Sequence, residues 1–300
     1  MTAPTTERRS TTSAPRSSST PVRGAARRGG SRVVFYVVLC ALALIFVAPI
    51  VWMISTSFKT EVDATVSTSL IPSPVTTDSF EPLLSWSSKE PVLRWFVNSV
   101  VVATATTVLV VATAALAAYA LARFQFRGRG LVFSMVVGTL FLPGFIFLIP
   151  NYIIVNNLGL LDTLAALMLP PVGGAFGVFF LRQFFLGLPD ELDEAARLDG
   201  ASDVQVFRMV MLPLAQAALS TIAVITFLAS WNDFLWPVYV LYTKTNLTLP
   251  AGLPLLQGAH HEDQPLIMAG AVIASVPALV VFVLAQRKII ESVATTGLKG

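Results

Sequence analysis

The chain has 300 residues, of which 55% are hydrophobic and 12% charged, with a formal net charge of +3. Soluble globular domains carry about a quarter charged residues, so this composition, with a mean hydropathy of +0.74, excludes an ordinary soluble domain. A single cysteine, Cys40, and two histidines exclude a disulfide framework or a metal centre built on several Cys and His ligands.

Residues 1–31 are Ser, Thr, Pro, Arg and Gly with almost no large apolar groups. Such a segment cannot bury enough surface to fold. It is expected to be a disordered basic tail on the cytoplasmic side, with its arginines near anionic headgroups. Residues 32–300 have the pattern of a membrane domain. Six runs match the roughly 20 apolar residues that cross a bilayer core: 33–53, 97–121, 131–150, 163–186, 215–241 and 267–286. The first follows Arg27, Arg28 and Arg32, like a signal peptide. Its apolar run Val33–Ile54 outlasts the ~7–15 residues of a signal-peptide core, and no small-x-small cleavage site follows it. The run is read as a retained helix, with Cys40 inside it. The predicted fold is an all-α integral membrane protein with six transmembrane helices.

Between the first two runs, residues 55–95 carry Pro72, Pro74, Pro82 and Pro91 and read as irregular structure. The second run, VVATATTVLVVATAALAAYALAR, is rich in small residues that let membrane helices approach closely. Lys and Arg orient the chain. With both termini cytoplasmic, only Lys59, Lys89, Arg94 and Lys244 of the 20 basic residues fall outside. The connection 151–162 is then external, with Asn151, Tyr152, Asn156 and Asn157 as polar candidates. Gly173, Gly174 and Gly177 in the fourth run indicate close packing or local unwinding, which in transporters lines cavities.

Between the fourth and fifth runs the charge pattern changes. DELDEAARLDGASDVQVFRMVMLP, residues 190–213, holds Asp190, Glu191, Asp193, Glu194, Arg197, Asp199, Asp203 and Arg208. Each charge would cost about 2.5–3.5 kcal/mol at a bilayer centre, so the stretch lies in water or against another protein. Pro189 and Asp190 suit a helix start. Leu192, Ala195 and Ala196 fall on one face. Gly200 fits a left-handed helix end. Ser202 and Gln205 form a capping box. Phe207, Val210 and Met211 make an apolar stripe, and Pro213 joins the stretch to the fifth run.

Trp231, Asn232 and Asp233 place a polar pair and an aromatic in the fifth run. An intramembrane Asp faces a cavity or a partner. The trio serves either a solute path, with Trp231 or Trp236 as a stacking face, or interhelix hydrogen bonding. His260, His261, Glu262 and Asp263 are adjacent in a loop and form a poor ligand set, so no metal is expected there. No G-x-x-x-x-G-K-[ST] sequence is present, and no bound cofactor is expected.

The spacing of Glu194-Ala195-Ala196, Gly200 and Leu212-Pro213 resembles the EAA loop of ABC-importer permeases, with Val210 where that family usually has Ile. Asp199–Ser202 and Trp231–Phe234 are similar to the carbohydrate-uptake branch, and in particular to the shorter membrane subunit of maltose importers. The likeness covers about 33–300. It implies a cytoplasmic coupling loop, about 187–213, in which Glu194, Ala195, Ala196, Asp199, Gly200, Leu212 and Pro213 meet an ATPase. It implies a second permease subunit, two ATPase subunits that use ATP and Mg, and an extracytoplasmic sugar-binding protein. The setting implied is a bacterial or archaeal cell membrane; no nucleic-acid partner is expected. A permease for a polyol or glycerophosphodiester, or an ATP-independent carrier, is the alternative. The ending ATTGLKG resembles the family's Gly-rich terminus, with Leu298 where Val is common.

Overall fold

A computed structural model describes residues 27–86, 88–259 and 263–297. The calls on the N-terminal tail before residue 27, on His260–Glu262 and on the last three residues lie outside these. Among the described residues every regular element is helical. Residues up to Ile50 form one unit and Val51–Gly300 another.

In the first unit, helix α1 (Arg27–Ser57) begins; its stretch Arg32–Ser57 is long and apolar enough to cross a membrane. Val33, Phe35, Leu44 and Phe46 are all exposed, as a lipid-facing helix requires. In the second unit, α2 (Val92–Arg123) and residues Gln264–Gln286 of α10 (Gln264–Gly297) also qualify as single spans.

The third and fourth expected spans are bent pairs, each a crossing only if both halves are counted together; the remaining bent pair joins Asp203–Leu214 to Gln216–Trp231, so it starts within the charged stretch and stops short of the end of the expected 215–241 run. In the third, α3 (Arg129–Thr139) and the stretch through α4 (Leu148–Asn157) meet at 101°, with Pro143 in the break. In the fourth, a turn of helix through Gly173 meets α5 (Ala175–Leu186) at 45°. Pro170 and Pro171 supply no N–H there, so the Gly173-Gly174 signal marks local unwinding. The 215–241 run is also discontinuous: α7 (Gln216–Trp231) ends before α8 (Leu235–Val240) begins. The prolines and glycines at the first two of these breaks leave backbone groups free of the helical ladder, which membranes tolerate only beside protein or a cavity.

The small-residue reading of α2 holds. Ala103, Ala114, Ala115 and Ala118 are buried, and a Cβ on Gly177 of α5 would lie 3.0 Å from the Ala114 methyl. At the start of α2, Trp95, Val102 and Ala103 pack with Leu249, Leu256 and Ala269. At its end, Tyr119 and Ala122 pack with Phe185, Val206, Phe207 and Met211. The Tyr119 ring lies 5.0 Å from Phe207 and 5.4 Å from Phe124.

The loop between α4 and α5 is fastened to the chain after α8 by Asp162, at φ 58. Its carboxylate accepts the amides of Tyr242 and Thr243, both at 2.9 Å, and the Thr243 hydroxyl. Its carbonyl accepts from the Asn246 amide at 2.8 Å. The Thr243 hydroxyl, then the backbone donors, hold the Asp162 carboxyl down at about 2, because hydrogen bonds to the charged form favour it. The clamp is therefore complete above the ordinary Asp value of 3.8 and is lost as pH falls toward 2. Asp162→Ala is expected to raise amide hydrogen exchange at Tyr242 and Thr243 by about tenfold at neutral pH, since a charge-assisted bond contributes about 1.5 kcal/mol. Unchanged exchange would remove Asp162 from this role.

Candidate functional site

The charged stretch folds as a short helical hairpin. Helix α6 (Glu191–Leu198) is followed by Asp199 and by Gly200 at φ +86. The Ala201 amide donates to the Ala196 carbonyl and the Gly200 amide to the Arg197 carbonyl, both at 3.0 Å. This is a Schellman ending, which needs the left-handed residue that glycine supplies. Ser202 then opens a new turn, and its amide donates to Gln205 Oε1 at 2.8 Å. Both local signals read from the sequence are present.

Asp190 does not cap α6. Its carboxylate pairs with Arg123. On α6 Leu192 and Ala195 are exposed, while Asp193 is buried and Ala196 half-buried. The cause is Arg123, at the end of α2, whose side chain is 5% exposed. It donates to the Leu188 carbonyl at 3.0 Å and faces Asp193 Oδ2 at 3.2 Å. A buried guanidinium outweighs an aliphatic face here, because an unpaired buried charge is far more costly than an exposed leucine.

The second arm carries one turn of π-helix, Val206–Met211, that buries Val206, Phe207 and Met211 while Val210 is half-buried. Pro213 has no N–H for the Met209 carbonyl, which suits the irregular turn. The join to α7 is at Ala215, where the halves bend by 77°, not at Pro213. Leu212 is half-buried and Pro213 exposed. Glu194, Ala195, Asp199 and Gly200 face outward with Leu198, which is 89% exposed.

The broken spans surround a second feature. An open cavity of about 620 Å³ is lined from the α3–α4 break (Leu140, Gly144), the Gly173-Gly174 break and the stretch after α7 (Asp233, Trp236), with Asn151 of α4. The backbone amide of Trp236 donates to Asp233 Oδ1 at 3.3 Å, and its indole donates to the Ala166 carbonyl at 3.0 Å. Trp231 is elsewhere: 2% exposed, nearly parallel to Phe227 at 6.1 Å, with its indole donating to the Ala274 carbonyl. It offers no open ring face. Asn232 is exposed, and its amide donates to the Leu228 carbonyl of its own helix. Of the trio only Asp233 lines the cavity. Trp236 and Asn151 join it; the sequence offered Trp236 as the alternative ring face to Trp231, and Asn151 as a weaker polar candidate.

A multi-pass helical bundle with broken spans around a cavity and a charged hairpin outside its apolar runs defines a membrane transport component. The chain belongs to the family described as binding-protein-dependent transport system inner membrane component, whose model matches residues 110–293. It is 34% identical to the arabinooligosaccharide transport system permease of Halalkalibacterium halodurans, over 86% of this chain and 93% of that one. It is 31% identical to the trehalose transport system permease of Mycobacterium tuberculosis, over 91% and 100%. It is 30% identical to the lactose transport system permease of Rhizobium radiobacter, over 88% and 96%. The fold is similar to a chain of a bacterial ABC transporter that imports the acidic polysaccharide alginate, with a TM-score of 0.78 at 24% identity, over 89% and 99%.

Proposed function

We propose that this chain is one of two permease subunits of an ATP-driven sugar importer, with the hairpin 187–213 as its contact to a cytoplasmic ATPase. The observation that carries the coupling role is the outward face of the hairpin. Glu194, Ala195, Leu198 and Gly200 are exposed together at the end of an element anchored by Arg123. An apolar tip beside small residues and a carboxylate suits a cleft in a partner. Movement of such an anchored knob passes to α2 and α7 as a rigid body. The sugar reading rests on the arabinooligosaccharide, trehalose and lactose relatives.

In this reading both termini and the hairpin are cytoplasmic, residues 1–31 are a tail outside the permease domain 32–300, and Asp162 lies on the outer side with the binding protein. ATP and Mg act on the partner ATPases. Asp199, Ala196, Leu212 and Pro213 shape the hairpin, while Glu194 meets the partner. The solute path runs by Asp233, with Asn232 near it.

Glu194→Lys is expected to abolish copurification with the ATPase while the chain keeps its melting temperature. Gly200→Pro is expected to unmake the hairpin itself, because proline holds φ near −65° and lacks the N–H that bonds Arg197. Retention of both assembly and solute uptake in the two variants would end the coupling assignment.

A further inference from the structure

We propose that Asp233 makes the cavity a charge filter, which admits neutral and cationic hydroxylated solutes and rejects anionic ones. The hydroxyl part of this statement rests on the sugar-permease reading; the sign of the charge does not. Among the residues that line the 620 Å³ cavity, Asp233 is the only ionisable one. It also lines a smaller adjoining cavity of about 160 Å³, whose other polar residues are Thr106, Thr226, Ser230 and Thr248. Asp233 thus lines both an open cavity and a hydroxyl-lined one, as Pro171 does, and neither lining contains a lysine or arginine. Among the described residues the ion pairs lie at Arg123, Arg197 and Lys244, and none includes Asp233.

The chemistry follows from that pattern. A cavity of this size lies within the range of small-molecule sites. A carboxylate accepts hydrogen bonds from sugar hydroxyls or a protonated amine, and it donates none when ionised. Apolar walls such as Leu140, Phe145 and Pro170 lower the local dielectric and concentrate its field. A uronate or phosphate entering the cavity meets that field with no cationic residue of this chain among those lining it to offset it. A neutral saccharide meets an acceptor, the Asn151 amide and the exposed part of the Trp236 ring.

Cysteine chemistry tests the sign of the field without any knowledge of the solute. Cys40 is the only cysteine of the chain, so Cys40→Ser with Asn151→Cys leaves one thiol, in the cavity wall. The assembled transporter carrying these changes is treated with cationic, neutral and anionic methanethiosulfonates, and modification of the residue-151 peptide is timed by mass spectrometry. The cationic reagent is expected to react about tenfold faster than the anionic one, the low end of electrostatic focusing in clefts. Asp233→Asn should bring the ratio close to one, and Asp233→Glu should keep it. High salt should also shrink it, a check that needs no second variant. A ratio near one at low salt, a ratio indifferent to Asp233→Asn, or no reaction with any of the three reagents would each overturn the proposal. Paired uptake into proteoliposomes separates the two readings. Carriage of sorbitol without any saccharide removes the sugar reading alone. Carriage of glucuronate-terminated oligosaccharides as fast as their neutral counterparts removes the filter alone.

Discussion

Arg123→Met is expected to lower the stability of the chain by about 3–5 kcal/mol, the usual cost of removing one partner from a buried ion pair. The change leaves Asp193, whose side chain is 10% exposed, as an uncompensated carboxylate on the buried face of α6. It also strips the Leu188 carbonyl of its donor. The Asp190 pair contributes little to this figure, because that carboxylate is 82% exposed and exposed pairs contribute about 0–1 kcal/mol. Thermal unfolding in detergent checks the magnitude, and a diagnostic double variant checks the cause. Arg123→Met with Asp193→Leu replaces the pair by apolar groups and should recover most of the loss, since such swaps are often neutral or stabilising. Arg123→Lys should fall between, because one ammonium cannot reproduce a fork aimed at a carbonyl and two carboxylates. If Arg123→Met melted with the parent, the guanidinium would not be what anchors the hairpin. The functional consequence follows from the geometry. Under the coupling role proposed for the hairpin, a loosened hairpin would still touch an ATPase but transmit less of its movement to α2, so ATP hydrolysis should become less dependent on solute.

What could be read without coordinates divides by range along the chain. Gly200 and the Ser202–Gln205 pair were legible, because a left-handed helix end and a capping box are set by residues within a few positions of each other. The unwinding at Gly173-Gly174 was legible for the same reason. Asp193 was not. It lies at a helical position that favours solvent, and its burial is imposed by Arg123, seventy residues earlier. Leu192 and Ala195 of the shared apolar face stay exposed, and of the three only Ala196 is half-buried. Asp162 carried no sequence signal at all: a single Asp in a loop looks solvated until the turn at Tyr242 and Thr243 closes on it. Trp231 and Trp236 are five residues apart and equally plausible as ring faces on paper. The end of α7 at Trp231 separates them, sending one into the core against Ala274 and the other to the cavity.

Gly252→Ala is expected to destabilise the opposite end of α2 by about 3 kcal/mol, the upper part of the usual range for overpacking. Gly252 lies in α9 (Leu249–Ala259), and a Cβ there would sit 2.3 Å from Trp95 Cε3 and 2.4 Å from Cδ2. The indole cannot easily retreat. Trp95 is fully buried, and its Nε1 donates to the Lys244 carbonyl at 2.6 Å. One turn on, the Asn98 amide donates to the carbonyls of Thr245 and Leu247, both at 2.9 Å, and Ser99 Oγ accepts the Leu249 amide at 2.8 Å. The start of α2 and the chain from Lys244 to Gly252 therefore move together or not at all. Alanine's better helix propensity, worth about 1 kcal/mol over glycine, is too small to offset the collision. Gly177→Ala supplies the internal comparison: its Cβ would meet the Ala114 methyl at 3.0 Å and Ile222 Cγ2 at an ordinary 3.6 Å, and the one tight contact is relieved when two helices part by a few tenths of an ångström, so its cost should be clearly smaller. Trp95→Ala removes the ring that the new methyl strikes. The double variant Trp95→Ala with Gly252→Ala should then melt no lower than Trp95→Ala alone, a non-additivity expected of residues in direct contact. Additive losses would mean that the glycine is required by its backbone and not by the indole above it.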